Sequence, residues 1–125
     1  MYKQSGKYYL IASGCTGWPP NAARSAVTDN IMGPWTELGN PCRGNDAETT
    51  FNAQNAFVLR LPGRSDAFIA LLDRWEQWDL ANSRCVWLPL HFEQDKPVLK
   101  WQEKLERFLL SDPQSPPLKP PDGLA

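Results

Sequence analysis

The sequence predicts an all-β fold of two four-stranded antiparallel sheets, each with the pattern of one β-propeller blade. Between Met1 and Lys104, a series of four short apolar or aromatic runs occurs twice, about sixty residues apart. Each run has the length of a strand and is bounded by Gly, Pro, Asn or Asp, which favour turns. Repeated four-stranded units are typical of propellers, which usually have about four to eight blades. Two units therefore predict an incomplete propeller.

The predicted strands form two units, 1–38 and 51–104, within one domain over 1–104. The first unit contains the runs MYKQ, KYYLIAS, NAARSAVTD and GPWTEL. The second contains NAFVLRLPGRS, DAFIALLDRW, SRCVWLPLHF and KPVLKW. The polar segment between them, GNPCRGNDAETT, is predicted to be a crossover. Over 105–125 the apolar pattern ends, and the proline-rich sequence predicts a disordered or polyproline II tail, with a short helical turn over 105–110.

The composition argues against several classes of function. The chain of 125 residues has a formal net charge of −1 and a pI near 5.8, with scattered lysines and arginines. Proteins that bind nucleic acid or anionic membranes usually carry clustered basic residues, so neither partner is expected. No apolar run approaches the roughly 20 residues of a membrane span, and no signal peptide precedes the first predicted strand. The sequence lacks phosphate-binding loops, nucleophile elbows and metal-ligand clusters, so we expect no cofactor and no metal.

Six tryptophans are a large number for a chain of this length. Because aromatic side chains bury large areas and favour strands, most of them are expected in the core. Exposed aromatic faces also bind sugars, whose C–H groups stack on the rings. The tryptophans in predicted strands are Trp35, Trp87 and Trp101. Those in predicted loops, which are the better candidates for sugar stacking, are Trp18, Trp75 and Trp78.

The three cysteines, Cys15, Cys42 and Cys85, lack the spacing of a zinc site. One disulfide with one free thiol and three buried thiols are both compatible with the sequence. Cys85 lies in a predicted strand, which favours a buried thiol. The single histidine, His91, also lies in a strand-like run and is expected to be structural.

Long loops follow the second strand of each unit, with the sequences SGCTGWPPN and DRWEQWDLANS. Loops at the same position in successive blades emerge on one rim of a propeller, where binding sites lie; alternatively, both loops merely connect strands. The segment ETTFNAQNAFVL enters the second unit, and its polar side chains either face the channel or form an ordinary turn. These side chains are Glu48, Thr49, Asn52, Gln54 and Asn55. Spacing alone selects no carboxylate pair for glycoside hydrolysis from Asp46, Glu48 and Asp73.

Several of these motifs resemble a known enzyme family. The segments SGCTGWPPNAARSAV, IMGPWTELGNPC, TTFNAQNAFVLRLPG, DAFIALLDRW and SRCVWLPLHF resemble the C-terminal part of a glycoside hydrolase family 43-type catalytic domain, specifically its exo-β-1,3-galactanase branch. The resemblance covers roughly residues 1–104. It implies a five-bladed β-propeller, of which this chain is an incomplete, C-terminal piece, and an inverting glycosidase that acts on galactan-like polysaccharide. It also implies that the full-length relative is extracellular or secreted.

The resemblance also implies roles for individual residues. Gln54 matches a glutamine that this branch places in the catalytic site, where other members have a base aspartate, so it is expected to orient water or act as a base. The implied substrate-binding residues are Thr16, Trp18, Asn21, Asp73, Arg74 and Trp75. Cys15 and Cys42 tend to occur together in such sequences, which predicts that they lie close together and can form a disulfide if the protein is secreted.

In relatives, the general-acid glutamate lies a few residues before the position that matches Met1. The acid and the three N-terminal blades are therefore expected to lie outside this chain, with those blades as its partner. On this hypothesis the chain alone does not hydrolyse polysaccharide. The alternative is a non-catalytic carbohydrate-binding or interaction fragment that keeps the blades without the chemistry.

Overall fold

The computed structural model of this protein describes residues 1–105, and its regular structure is two β-sheets with two short 3-10 helices. The predicted all-β class is confirmed. The 3-10 helices span Ala47–Thr49 and Leu80–Asn82. In this part of the chain, no helix is long and apolar enough to cross a membrane. The predicted tail over 105–125, with its helical turn over 105–110, lies outside the described residues except for Leu105.

The first sheet is an antiparallel meander in which each strand pairs with the next. Its strands are β1 (Tyr2–Gln4), β2 (Lys7–Ala12), β3 (Arg24–Thr28) and β4 (Thr36–Gly39). The β1–β2 hairpin closes through Ser5 and Gly6, which both have positive φ, as a two-residue type I′ turn requires. Alternation along β1 and β2 then buries Tyr2, Tyr9 and Ile11 on one face.

The second sheet has five strands in the order β5-β9-β8-β7-β6. These are β5 (Cys42–Arg43), β6 (Gln54–Arg60), β7 (Phe68–Arg74), β8 (Arg84–Glu93) and β9 (Lys96–Lys100). The prediction of four strands was wrong here, because β5 lies in the segment predicted as a crossover and pairs parallel with β9. Cys42 and the preceding Pro41 are buried, and the Leu99 amide donates to the Pro41 carbonyl at 2.9 Å. Two residues are too few to give a strand periodicity.

An aromatic cluster joins the two sheets. The Tyr2 ring lies 5.3 Å from Phe68, and the Tyr9 ring lies 5.1 Å from Phe92, measured between centroids. The Tyr9 hydroxyl donates to the Asp95 carbonyl at 3.1 Å, in the turn between β8 and β9. The Tyr2 hydroxyl is also buried but has no partner among the described residues, and its burial raises its pKa. This cluster is therefore mainly apolar, with a hydrogen bond from Tyr9 to the turn between β8 and β9.

The opposite face of the second sheet exposes large apolar side chains. Phe57, Leu71 and Trp87 are direct neighbours across β6, β7 and β8, and Phe57 and Trp87 are 57% and 50% exposed. The expectation that most tryptophans are core residues was wrong, because none of the six is buried. In β8 the alternation places Val86 and Leu88 in the core, which turns Trp87 outward.

The structure also corrects the predictions for cysteine. All three cysteines are free, so the Cys15–Cys42 disulfide is not formed. Cys85 is exposed rather than buried, because it shares the outward face of β8 with Trp87. Cys42 is the buried thiol, and burial raises its pKa to about 11.

The exposed face of the second sheet predicts self-association of the isolated chain. Replacing both Phe57 and Trp87 with Ser should shift the chain toward monomer, since a contiguous apolar patch favours association. Light scattering coupled to size exclusion measures this shift. Met32→Ser, which changes an 88% exposed side chain in a turn, is the control and should have no effect. A monomeric parent chain would contradict the prediction.

The two buried tyrosines should respond in opposite ways to loss of their hydroxyls. Tyr9→Phe removes a hydrogen bond and should destabilise the fold by about 1 kcal/mol. Tyr2→Phe removes a buried hydroxyl without a partner among the described residues, so its melting temperature should equal or exceed that of the parent. Thermal melting followed by near-UV dichroism tests whether Tyr9→Phe melts at a lower temperature than Tyr2→Phe. Equal losses in both variants would contradict this account of the joint.

Candidate functional site

A cavity of about 370 Å³ lies at the edge of the second sheet where β6 begins, β7 ends and β8 begins. Its lining residues are Trp18, Pro20, Ala53, Gln54, Asn55, Asp73, Arg74, Trp75, Ser83, Arg84 and Cys85. Five of the seven residues predicted for the site lie together here: Trp18, Gln54, Asp73, Arg74 and Trp75. The other two, Thr16 and Asn21, do not line the cavity.

Strand register explains why these residues meet. Gln54 pairs with Asp73 across β6 and β7, and Asp73 pairs with Cys85 across β7 and β8. The loop after β7 therefore starts at the cavity, and the long loop between β2 and β3 reaches it from the first sheet. The two tryptophan-bearing loops thus flank one cavity.

Gln54 connects β6 to the loop of the first sheet. Its Nε2 donates to the carbonyls of Gly17 and Trp18 at 2.9 and 3.2 Å. Carbonyls only accept hydrogen bonds, so the amide nitrogen must face them. The carbonyl oxygen Oε1 remains as an acceptor, and no described residue donates a hydrogen bond to it.

Thr16 and Asn21 organise this loop from within. Asn21 Oδ1 accepts from the Gly14 amide at 2.7 Å, and Asn21 Nδ2 donates to Thr16 Oγ1. A Cβ at Gly14 would lie 3.1 Å from Asn21 Oδ1 and 3.2 Å from the Ala22 carbonyl oxygen, so a larger residue there would shift the loop by a few tenths of an ångström. Their polar groups therefore hold the shape of the loop that carries Trp18.

Trp18 and Trp75 form an aromatic pair beside the cavity. Their ring centroids are 4.7 Å apart, with an angle of 34° between the planes. Trp18 is 69% exposed, so most of its surface remains available to a ligand. Trp78, predicted as a third stacking candidate, is 91% exposed and does not line the cavity.

A turn that supports the site lies in the segment ETTFNAQ, where the sequence left a turn before the strand as one of two alternatives. Thr50, Phe51 and Asn52 all have left-handed backbone angles, with φ of 53°, 59° and 57°. Non-glycine residues in this region cost on the order of 1–3 kcal/mol each. No glycine or Asn-Gly pair marks these positions, so the sequence does not signal their left-handed conformation.

Hydrogen bonds from two other elements hold this turn in place. Thr50 Oγ1 donates to the Asn21 carbonyl at 2.6 Å, which joins the turn to the loop of the first sheet. Arg74 Nη2 donates to the Phe51 carbonyl at 2.6 Å, and its guanidinium lies 5.3 Å from the Trp101 ring. Arg74, predicted to bind substrate, therefore also fixes the backbone that leads to Gln54.

Asp73 is the only carboxylate among the described residues that line the cavity. The nearest thiol, Cys85 Sγ, lies 3.8 Å from Asp73 Oδ1. A pair of carboxylates is the usual requirement for glycoside hydrolysis. The residues present thus supply aromatic faces, hydrogen-bonding groups and one carboxylate.

Solved structures of glycoside hydrolase family 43 (GH43) proteins match this chain in sequence and fold. A GH43 β-1,3-galactosidase, solved with galactodeoxynojirimycin, is 42% identical, and the match covers 82% of this chain with a TM-score of 0.78. The exo-β-1,3-galactanase of Phanerochaete chrysosporium, solved with β-1,3-galactotriose, is 35% identical over 78% of this chain, with a TM-score of 0.69. That of Clostridium thermocellum is 37% identical over 79%, with a TM-score of 0.66. No protein-family model and no curated protein matches the chain.

The matches cover 30%, 22% and 21% of these three proteins, respectively. This chain therefore spans less than a third of the length of each. The resemblance indicated by the sequence motifs is thus confirmed: the chain belongs to glycoside hydrolase family 43 and is similar to part of its exo-β-1,3-galactanases and β-1,3-galactosidases.

Proposed function

We propose that this chain forms part of the substrate cleft of a glycosidase that hydrolyses O-glycosyl bonds in β-1,3-galactan-like polysaccharide. The observation that carries the proposal is the convergence of Trp18, Trp75, Gln54 and Asp73 on one cavity. The relatives solved with galactotriose and galactodeoxynojirimycin support a galactose-containing ligand. Since polysaccharides of this type are extracellular, the longer protein would be secreted.

The side chains fit distinct roles in this proposal. The exposed face of Trp18 stacks on a galactosyl ring, with Trp75 supporting it from 4.7 Å. The Asp73 carboxylate accepts a hydrogen bond from a sugar hydroxyl. The Gln54 Oε1 orients the attacking water, because the oxygen of a neutral amide has too little proton affinity to act as an efficient base.

Inverting hydrolysis also requires a general acid on the other side of the scissile bond. We infer that this acid comes from sequence that the relatives have beyond the matched region, together with further blades that complete a five-bladed propeller. The exposed face around Phe57 and Trp87 supports this arrangement, since another sheet would cover it. The isolated chain would then bind sugar without cleaving it.

A non-catalytic carbohydrate-binding module is the second candidate function. The single carboxylate in the cavity lining favours it, because binding requires only the aromatic pair and hydrogen-bonding groups. The two candidates differ in whether a longer polypeptide that contains this chain turns over substrate.

Sugar binding should depend on Trp18 and should not depend on Trp78. Trp18→Ala should weaken the affinity for β-1,3-galactobiose at least about tenfold, because it removes the proposed stacking surface. Trp78→Ala is the matched control, since Trp78 is exposed but lies outside the cavity lining. Titration followed by tryptophan fluorescence or calorimetry measures the affinity of both variants. Similar losses in the two variants would argue against this cavity as the binding site.

Catalysis should appear only in a longer polypeptide and should depend on Gln54. The isolated chain should not hydrolyse β-1,3-galactan. A chimera in which the 42% identical β-1,3-galactosidase supplies the preceding sequence should hydrolyse it. There, Gln54→Ala should lower kcat at least about a hundredfold with little change in melting temperature.

Gln54 also anchors the loop, so loop disorder needs its own control. Asn21→Ala loosens the same loop but leaves the Gln54 amide in place. This variant should raise KM more than it lowers kcat. An inactive chimera with intact sugar binding would favour the non-catalytic module, and unchanged kcat in Gln54→Ala would exclude Gln54 from the mechanism.

A further inference from the structure

A second cavity, of about 610 Å³, lies on the far side of Arg74 at the same edge of the second sheet. Residues 43–46, Phe51, Lys100 and Trp101 complete its lining. Arg74 is the only lining residue that the two cavities share. The proposed galactan site therefore does not account for the second cavity.

The second cavity carries an excess of positive charge. Arg43, Arg74 and Lys100 line it, whereas Asp46 is its only lining carboxylate among the described residues. Lys100 is neutralised by Glu93, whose carboxylate lies 2.9 Å from the ammonium group. With Lys100 paired, the two guanidinium groups outnumber the Asp46 carboxylate, so the lining keeps one net positive charge.

Neutral acceptors hold both guanidinium groups. Arg43 Nη1 donates to the backbone carbonyls of Asn40 and Cys42, and Arg74 Nη2 donates to that of Phe51. Within residues 1–105, neither guanidinium forms an ion pair with a carboxylate. Their orientation is thus fixed while their charge stays available, which suits recognition of an anion.

An aromatic surface lies next to these charges. The Trp101 ring lies 5.9 Å from Phe51 and stacks near the Arg74 guanidinium, yet remains partly exposed. A pyranose can present its C–H groups to such a ring, while a planar carboxylate matches the fork of a guanidinium. The combination fits a sugar that bears a carboxylate better than it fits either a neutral sugar or an isolated anion.

We propose that the second cavity binds a uronic acid residue of the same glycan that occupies the first cavity. This inference rests on the proposed function. Because Arg74 lines both cavities, a branched or substituted chain that fills the first cavity can extend an acidic sugar into the second. The site would then select acidic, substituted galactans over unsubstituted ones.

Nuclear magnetic resonance of the full chain tests the proposal through its six indole N–H signals. The probes are methyl β-D-glucuronide, its neutral counterpart methyl β-D-glucoside, and sodium acetate. The glucuronide should shift the Trp101 signal saturably, with at least about tenfold higher affinity than the other two. Added salt should weaken the binding, since it screens the charges.

Two charge-removing variants provide matched controls. Arg43→Gln should reduce the affinity for glucuronide at least about fivefold. Arg60→Gln removes a guanidinium that contacts Ser65 at the opposite end of β6, and it should leave the affinity unchanged. If Arg43→Gln fails to fold, Lys100→Gln is the second test: it leaves the Glu93 carboxylate without its cation beside the cavity and should also lower the affinity for glucuronide.

The proposal is overturned if glucuronide and glucoside shift Trp101 equally, if Arg43→Gln and Arg60→Gln behave alike, or if Trp101 does not respond. Failure of the galactan proposal is visible separately. In that case β-1,3-galactobiose would leave the indole signals of Trp18 and Trp75 unchanged, whatever the glucuronide does at Trp101.

Discussion

The left-handed turn of Thr50, Phe51 and Asn52 is the constraint on which the candidate site depends. Three consecutive non-glycine residues adopt a conformation that costs on the order of 1–3 kcal/mol each. The hydrogen bond from Arg74 to Phe51 involves a charged donor, and such bonds contribute about 1.5–3 kcal/mol. Thr50 adds a second bond, to the carbonyl of Asn21. The turn that leads to Gln54 is therefore supported from both sheets, in addition to its own backbone bond from the Phe51 amide to the Asp46 carbonyl at 2.8 Å.

The joint between the sheets and the site are consequently coupled. Tyr9 packs on Phe92 and donates to the turn at Asp95, which fixes the first sheet against the second. The loop that carries Trp18 belongs to the first sheet, whereas Gln54 and Trp75 belong to the second. A change in the angle between the sheets would separate Trp18 from Trp75 and break the bonds from Gln54 to the loop. Rigid packing far from the cavity is thus a condition for its geometry.

Much of the fold could be predicted from the sequence, because strand periodicity and turn residues are local signals. The eight predicted runs all contain strands, but β5 is too short to show a pattern and depends on pairing with β9. The periodicity shows that Trp87 and Cys85 alternate with core residues without showing which set faces inward. The position of Gln54 at the cavity followed from family resemblance. The hydrogen bonds from Gln54 to Gly17 and Trp18 could not be predicted, since they join segments far apart in sequence.

Arg74 shows how one side chain can serve two neighbouring cavities. Its guanidinium fixes the Phe51 carbonyl and stacks near Trp101, so it stabilises the backbone before Gln54 and contributes charge to the second cavity. Since the Phe51 carbonyl is a neutral acceptor, the hydrogen bond that anchors the turn leaves the positive charge of Arg74 available to a ligand.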